Sequence, residues 1–132
     1  MIVVDASLIS AFILKEENWK NYTKILKNAF TVDHAIKEVS NAIWKAYIKK
    51  LIGLNDVKLK FKALKTLFSE NIMKIHEDEL IEKALEISVN HGITIYDSLY
   101  LALAINKGAN LCSLDEKQIK IAKKLNIPVI PI

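Results

Sequence analysis

The sequence has 132 residues, of which 52% are hydrophobic, and this is enough for one domain with a buried core; we predict a single domain over residues 1–132. The formal net charge is +4 and all 19 basic residues are lysine, so bidentate guanidinium contacts and an arginine finger are excluded. A polyanion such as nucleic acid would be bound through lysine charges, and that binding would be salt-sensitive. The alternative is that the lysines only keep the helix surfaces solvated.

The cysteine, histidine and apolar content excludes further classes. Cys112 is the only cysteine and lies in a predicted buried strand, so no disulfide framework is possible, and the absence of a Cys or His cluster excludes a structural zinc site. The apolar start, Met1 to Leu14, is interrupted by Asp5 and is too short to span a membrane. We therefore expect a cytoplasmic protein that does not bind membranes.

The first half of the chain predicts two strands followed by a helical hairpin. Ile2 to Val4 is typical of a strand buried on both faces, with Asp5 at its carboxyl end and Ser7 as the cap of the next helix. Helical spacing extends from Glu16 to Ala29, and Phe30 to Val32 is the second strand. The boundaries of the hairpin helices are a cap at Asp33, a helix end at Gly53 and a new start at Asn55 or Asp56.

The second half predicts strands that alternate with helices. The third strand is Ile72 to Ile75, and Asp78 caps a helix that reaches His91. The residues from Thr94 to Asp97 have capping-box spacing before an apolar helix, Ser98 to Asn106. The last elements are a strand from Ala109 to Leu114, a helix from Glu116 to Leu125 and a short edge strand at Val129 and Ile130.

This alternation predicts an α/β fold, a three-layer α/β/α sandwich with a central parallel sheet of four to five short strands. Ligands of such folds bind outside the carboxyl ends of the strands. Asp5 and Asp115 lie at such ends, while Glu38 and Asp97 lie in the first turns of helices that can open onto the same rim. We expect the four carboxylates to converge around Mg²⁺ or Mn²⁺, which would offset their repulsion and activate water against a phosphodiester.

Each acid also has a purely structural interpretation. Asp5 can begin a turn, and Asp97 can be the third helical position of a capping box. Glu38 can be a solvated helical residue, and Asp115 can cap the last helix. The three histidines lie in unrelated contexts, so neither a histidine-based nuclease nor a catalytic triad is expected.

Four acid-bearing segments occur in a fixed order along the chain. They are Val3-Val4-Asp5-Ala6-Ser7, Glu38-Val39-Ser40-Asn41-Ala42, the helix that begins Tyr96-Asp97-Ser98-Leu99-Tyr100, and a strand that ends at Ser113-Leu114-Asp115. No single segment is specific, but the ordered set, which extends over nearly the whole chain, resembles the PIN-domain family and specifically the VapC-type ribonuclease toxins of toxin–antitoxin pairs.

The resemblance implies an endoribonuclease that uses Mg²⁺ or Mn²⁺ to hydrolyse RNA and leave a 5′-phosphate. It implies that Asp5 and Asp97 bind the metal most directly and that Glu38 and Asp115 complete the site directly or through water. It also implies homodimerisation and inhibition by a cognate VapB-like antitoxin whose tail occupies the groove near the acids. The supporting hydrogen-bonding residues that it implies are Ser7, Asn41 and Ser113.

The sequence departs from the family pattern at two points. The family often has a threonine and another small residue before the fourth acid, whereas Leu114 precedes Asp115 here. Many relatives also place arginine near the active rim to hold substrate or antitoxin, and this chain has none. The lysines that would have to replace it are Lys37, Lys45 or Lys117.

Other functions compete with the toxin interpretation. A PIN-domain nuclease that processes RNA outside a toxin–antitoxin pair would use the same chemistry. A non-catalytic PIN-like module would recognise a partner through the helical hairpin with Trp44, Tyr47 and Phe61. An enzyme with a phosphorylated aspartate shares the strand-end Asp5 and Mg²⁺, but a haloacid-dehalogenase-like site needs a second aspartate where Ser7 stands.

Overall fold

The computed structural model describes all residues, Met1–Ile132, as four strands, seven α-helices and two short 3-10 helices. The strands are β1 (Ile2–Val4), β2 (Ala29–Val32), β3 (Ile72–Ile75) and β4 (Asn110–Cys112). The α-helices are α1 (Ala6–Ile13), α2 (Thr23–Leu26), α3 (Ala35–Ile48), α4 (Leu54–Glu70), α5 (Ile81–His91), α6 (Ile95–Lys107) and α7 (Glu116–Lys124). The 3-10 helices are Trp19–Tyr22 and Asp78–Leu80.

The four strands form one parallel sheet in the order β3-β2-β1-β4, and the helices flank it. This confirms the predicted α/β/α fold. Val3 pairs with Leu111 on one side and with Phe30 on the other, which places β1 between β2 and β4. The predicted edge strand is reduced to a single bridge between Leu111 and Val129, because Pro128 and Pro131 cannot donate to a ladder.

The core explains why these segments form these elements. Val3 and Val4 of β1 are fully buried, as a strand between two neighbours requires. In α6 the run from Leu99 to Ala104 is buried throughout, and this helix packs on β1, β2 and β4. A single cluster of 33 buried apolar residues connects the sheet with the helices. None of the helices combines the length and the apolar character that crossing a membrane requires.

The continuous helix predicted from Glu16 to Ala29 is wrong. The segment forms the 3-10 helix Trp19–Tyr22 followed by one turn of α-helix, α2. Asn18 and Asn28 bound it with φ angles of 66° and 64°. Asparagine tolerates this left-handed conformation because its short side chain can hydrogen-bond locally, and each such residue stops helical propagation.

Four predicted helix caps are also misplaced. Asp78 does not cap the helix that reaches His91: it is the first residue of the 3-10 helix Asp78–Leu80, and the N-cap of α5 is Leu80. Asp5, rather than Ser7, caps α1, because the Asp5 carboxylate accepts from the Leu8 N–H. The N-cap of α3 is His34 instead of Asp33. Gly53 does not end α3, which stops at Ile48; Gly53 is the N-cap of α4, where its N–H donates to the Asp56 carboxylate at 2.9 Å.

Candidate functional site

The four predicted acids lie at the starts of four helices. Asp5 follows β1 directly and caps α1, and Asp115 follows β4 and caps α7. Asp97 is the third residue of α6, and Glu38 is the fourth residue of α3. Since β1 and β4 are adjacent and parallel, their carboxyl ends bring Asp5 and Asp115 to the same edge of the sheet.

Asp5 is the most deeply buried of these acids, with 3% of its surface exposed. Its Oδ1 accepts from the Ser7 hydroxyl at 2.6 Å and from the Leu8 N–H at 3.2 Å, and its Oδ2 accepts from the Ser113 hydroxyl at 2.5 Å. The net pKa of Asp5 is raised to about 6. Burial is the largest cause and the charge of Asp115 adds to the increase, while these three hydrogen bonds partly offset it. The negative charge of Asp5 is therefore only partly compensated by the protein.

Ser7 and Ser113 connect the loops that carry Asp5 and Asp115. The Ser113 hydroxyl donates to Asp5 and accepts from the Asp115 N–H at 2.9 Å. The Ser7 hydroxyl donates to Asp5 and accepts from the Leu114 N–H at 2.9 Å. These bonds fix the spacing between the ends of β1 and β4. They do not depend on the side chain of Leu114, the position where the sequence departs from the family pattern.

Ser113→Ala is expected to raise the pKa of Asp5 above about 6, because it removes a donor that stabilises the charged carboxylate. It should also lower the free energy of unfolding by about 1 kcal/mol. Carboxyl carbon NMR titration measures the first effect and urea unfolding the second. Ser69→Ala is the matched control, because the exposed Ser69 hydroxyl bonds only to the Thr66 carbonyl of its own helix. An unchanged titration of Asp5 in Ser113→Ala would contradict this assignment.

Asp97 is half-buried, and its pKa is raised. Burial contributes most to this increase, and the charges of Asp115 and Glu38 add to it, while the hydrogen bond with Thr94 and the charge of His34 lower the pKa. The Asp97 N–H donates to the Thr94 hydroxyl at 3.3 Å, which confirms the predicted cap of α6. Asp97 is therefore within electrostatic reach of two of the other acids.

Gln118 joins the starts of α6 and α7. Its side-chain amide is 1% exposed and donates to the Asp97 carbonyl at 3.0 Å, while its own N–H donates to the Asp115 carboxylate at 3.1 Å. One buried side chain thus fixes the helix start that carries Asp97 relative to the one that carries Asp115. The interval from Asp115 to Gln118 has capping-box spacing, a signal in the sequence that could have identified this residue.

Glu38 is held by two buried side chains that the sequence interpretation did not select. The Tyr100 hydroxyl donates to Glu38 Oε1 at 2.8 Å, and His34 Nε2 lies 2.6 Å from the same oxygen. The second approach is poorly aligned for a hydrogen bond and is a charge contact. His34 Nδ1 lies 3.0 Å from Glu77, which adds a fifth acid to this region. The sequence analysis placed the three histidines in unrelated contexts, whereas the structure places His34 beside Glu38, one of the predicted site residues.

The position of His34 between two carboxylates favours its protonated form. Burial by itself lowers the pKa of His34, but the contacts with Glu38 and Glu77 raise it further than burial lowers it, so the net pKa is raised. His34 precedes α3, and Glu38 lies one turn further along, so their contact has i,i+4 spacing. This spacing is visible in the sequence, whereas the contact with Glu77, 43 residues away, is not.

Tyr100→Phe is expected to lower the free energy of unfolding by about 1 to 2 kcal/mol, because it removes the hydroxyl that donates to Glu38. Tyr100 is 1% exposed, so water does not replace this bond on its buried side. Chemical denaturation measures the change. Tyr96→Phe, at a residue that is 61% exposed, is the control and should leave stability unchanged. Equal stabilities for the two variants would show that the Tyr100 bond does not hold Glu38.

Asn41, the remaining predicted supporting residue, lies three positions after Glu38 in α3. Its side chain is exposed, and we find no hydrogen bond from it. Lys117, one of the proposed substitutes for arginine, donates to the Gly92 carbonyl at 3.0 Å, while Lys37 and Lys45 are exposed on α3. The role of Asn41 in supporting the acids stays a prediction.

The atoms of this region that could ligate a metal suit Mg²⁺ or Mn²⁺. All are carboxylate oxygens, which these cations prefer. The raised pKa values of Asp5 and Asp97 show that their negative charges are costly where they stand, and a cation between them would lower that cost. No three His, Cys, Asp or Glu side chains are arranged to ligate one ion together. The assignment of individual ligands therefore stays a prediction.

Cys112 lies at the end of β4, directly before this region. It is fully buried, and burial, together with the charge of Asp5, raises the pKa of its thiol to about 11. The thiol is therefore protonated at neutral pH and is not a nucleophile.

Comparison with known proteins identifies the family. The family model of the PIN domain matches residues 2–124. Ribonuclease VapC3 of Pyrobaculum aerophilum is 31% identical over 134 residues, covering 98% of this chain and 98% of that protein. Exonuclease VapC9 of the same organism is 28% identical over 115 residues, covering 87% of this chain and 80% of that protein. The crystal structure of Mycobacterium tuberculosis VapC20, a sarcin-ricin loop cleaving toxin, covers 91% of this chain and 94% of that chain with a TM-score of 0.67 and 18% identity. The chain therefore belongs to the PIN domain family.

Proposed function

We propose that the chain is a metal-dependent ribonuclease that hydrolyses RNA phosphodiesters at its acidic rim. The observation that carries this proposal is the burial of Asp5 close to the charge of Asp115. Both raise the pKa of Asp5, so a cation at this position would be favourable. The full-length similarity to a protein named ribonuclease VapC3 supports the substrate class. Because the relatives are named ribonuclease and exonuclease, nuclease activity is the part of the proposal that they support most directly.

In this proposal the four acids hold the cation. Asp5 and Asp97 bind it most directly, and Glu38 and Asp115 complete the site directly or through water. A bound Mg²⁺ or Mn²⁺ supplies positive charge at the scissile phosphate and lowers the pKa of a coordinated water. The reaction is hydrolysis, so it leaves no covalent link to the protein.

The remaining residues orient these acids. Ser7 and Ser113 keep Asp5 charged and oriented through the bonds already described. Tyr100 fixes one oxygen of Glu38 and leaves the other free to orient a water or accept its proton. His34 adds positive charge beside Glu38 in a chain that has no arginine. Such supporting contacts reduce the reorganisation that the site undergoes during the reaction.

Incubation of the purified chain with linear and circular RNA, with Mg²⁺ or Mn²⁺ and then with a chelator, tests this proposal. We expect cleavage with either cation, 5′-phosphate ends, and no cleavage after chelation. Circular RNA is cut only by an endonuclease, so it separates the endonuclease that we propose from an exonuclease. Absence of cleavage under every metal condition would favour the non-catalytic alternative.

We further propose that the protein is a cytoplasmic homodimer that acts as the toxin of a toxin–antitoxin pair. A groove between α3 and α4, with a volume of about 370 Å³, supports a protein partner. Trp44, Tyr47 and Phe61 line it and are 54%, 40% and 42% exposed. An apolar helix of a VapB-like antitoxin would bury these rings.

Expression in growing cells tests the toxin role. We expect growth arrest that co-expression of the neighbouring gene relieves, and no arrest with Asp5→Asn. Active enzyme that leaves growth unaffected would favour the alternative of an RNA-processing nuclease outside a toxin–antitoxin pair. Sedimentation of the purified chain measures the oligomeric state separately.

A further inference from the structure

Three lysines, Lys58, Lys62 and Lys65, project from one face of α4, and we call this set the lysine ridge. They are spaced four and three residues apart, so their side chains are neighbours on the helix surface. All three are exposed. Together with Phe61, Thr66 and Ser69 they line a shallow open groove of about 490 Å³.

No acidic side chain neutralises the lysine ridge. Across the molecule, Lys83 is the only lysine in an ion pair, with Glu86 at 3.5 Å. In α5 the single lysine has acids before and after it in the sequence. In α4 the two acids, Asp56 and Glu70, lie in the first turn and at the last residue. The Asp56 carboxylate accepts from the Gly53 N–H, and the lysine on which its charge acts is Lys60, outside the ridge. The ridge is therefore an uncompensated row of positive charge.

This placement differs from that of lysines that only make a helix soluble. Like charges at i,i+3 and i,i+4 destabilise a helix, and alternation with glutamate solvates it equally well without that repulsion. Lysine is favoured in the last turn by the helix dipole, yet the last turn of α4 contains no basic residue. A polyanion lying along the ridge would remove the repulsion between its lysines.

The groove beside the ridge fits single-stranded RNA better than an acidic peptide. Phe61 is 42% exposed next to the lysines and offers a face on which a base can stack. The Thr66 and Ser69 hydroxyls donate to carbonyls of their own helix, which leaves their oxygens free to accept a hydrogen bond from a ribose 2′-hydroxyl. Ammonium groups bind phosphates as point charges without requiring a fixed sequence.

We propose that the lysine ridge is an accessory site that binds the phosphate backbone of single-stranded RNA; its role in catalysis rests on the proposed ribonuclease function. Helix α4 leads directly into β3, so its end at Glu70 lies at the amino-terminal edge of the parallel sheet. The acids lie at the opposite, carboxyl-terminal edge. The lysine ridge lies five to twelve residues before that end, and its charges do not shift the pKa of Asp5 or Asp97. A long RNA could therefore contact both places, whereas a dinucleotide bound at the acids would contact only the acids.

Salt-dependent binding of an unstructured, uridine-rich RNA by the full chain in chelator tests this inference without any cleavage. We expect the variant Lys58→Gln/Lys62→Gln/Lys65→Gln to bind with a slope of log affinity against log salt shallower by about two, since each single-strand phosphate contact contributes about 0.7. Lys120→Gln/Lys123→Gln/Lys124→Gln on α7 removes the same charge and is the matched control, with a smaller change in slope. Phe61→Leu should weaken binding roughly tenfold at an unchanged slope.

Several results would overturn the inference. Equal slopes for the ridge and control variants would show that only net charge matters. Binding of polyglutamate that depends on the ridge, combined with RNA binding that does not, would assign the ridge to an acidic protein. With Mg²⁺ present, the ridge variant should raise KM for long RNA and leave cleavage of a dinucleotide unchanged. Ridge-dependent binding without any cleavage would disprove only the ribonuclease proposal, and cleavage without ridge-dependent binding only this inference.

Discussion

Asp5→Asn is expected to reduce RNA cleavage by about a thousandfold while leaving the fold intact. The substitution keeps the size of the side chain but removes the charge that would hold a cation against the scissile phosphate, and loss of one such electrostatic contact has effects of this size. The asparagine oxygen can still accept from the Ser7 hydroxyl and the Leu8 N–H, so the cap of α1 is retained. Initial cleavage rates at saturating Mg²⁺ measure the effect.

Asp78→Asn is the matched control for this substitution. Asp78 begins a 3-10 helix, and its side chain is 76% exposed. The Asp78→Asn variant should cleave RNA at the parental rate. Cleavage by Asp5→Asn within a few-fold of that rate, with an unchanged circular dichroism spectrum, would show that Asp5 does not bind the catalytic cation, and the acidic-rim proposal would then be wrong.

The fold was predictable because local and long-range signals agree in most segments. The buried run Ile2 to Val4 needs neighbours on both sides, and the structure places β2 and β4 there. Gly92 and Gly108 end α5 and α6 with φ angles of 65° and 59°, where a residue without a side chain is favoured. Asn18 and Asn28 adopt the same conformation with a less specific sequence signal, which explains why the segment between them was mispredicted.

The candidate site was predictable only for residues whose position follows from a single element. Asp5 could be placed at the end of a strand from its own neighbours. The contacts of Glu38 with Tyr100 and of His34 with Glu77 join residues 62 and 43 positions apart, so they depend on how the helices pack. No periodicity in one segment reports such a contact, since periodicity indicates only which face of an element is buried.

Without divalent cations, the stability of the protein is expected to fall as the pH rises from about 4 to about 7. Burial raises the pKa of Asp5 from 3.8 to about 6, so the native state holds this proton over a range in which the unfolded chain has lost it. The free energy of unfolding therefore decreases through that range, by about 3 kcal/mol for this residue. The raised pKa of Asp97 acts in the same direction.

Comparison with Asp5→Asn isolates the contribution of Asp5, because the raised pKa values of His34 and His76 also make stability fall with rising pH. In chelator the variant should match the parent near pH 4, where Asp5 is neutral, and exceed it by about 3 kcal/mol near pH 7. Urea denaturation across this range measures both chains.

Addition of Mg²⁺ should reverse this order at pH 7. A cation that binds the native parent stabilises it by about 4.1 kcal/mol at a concentration one thousand times its Kd, which exceeds that gap, whereas Asp5→Asn should gain much less. If Mg²⁺ stabilised both chains equally, the ion would bind away from Asp5. If the two chains differed by the same amount at pH 4 and pH 7, the difference would arise from packing, because only an ionising carboxylate makes the gap depend on pH.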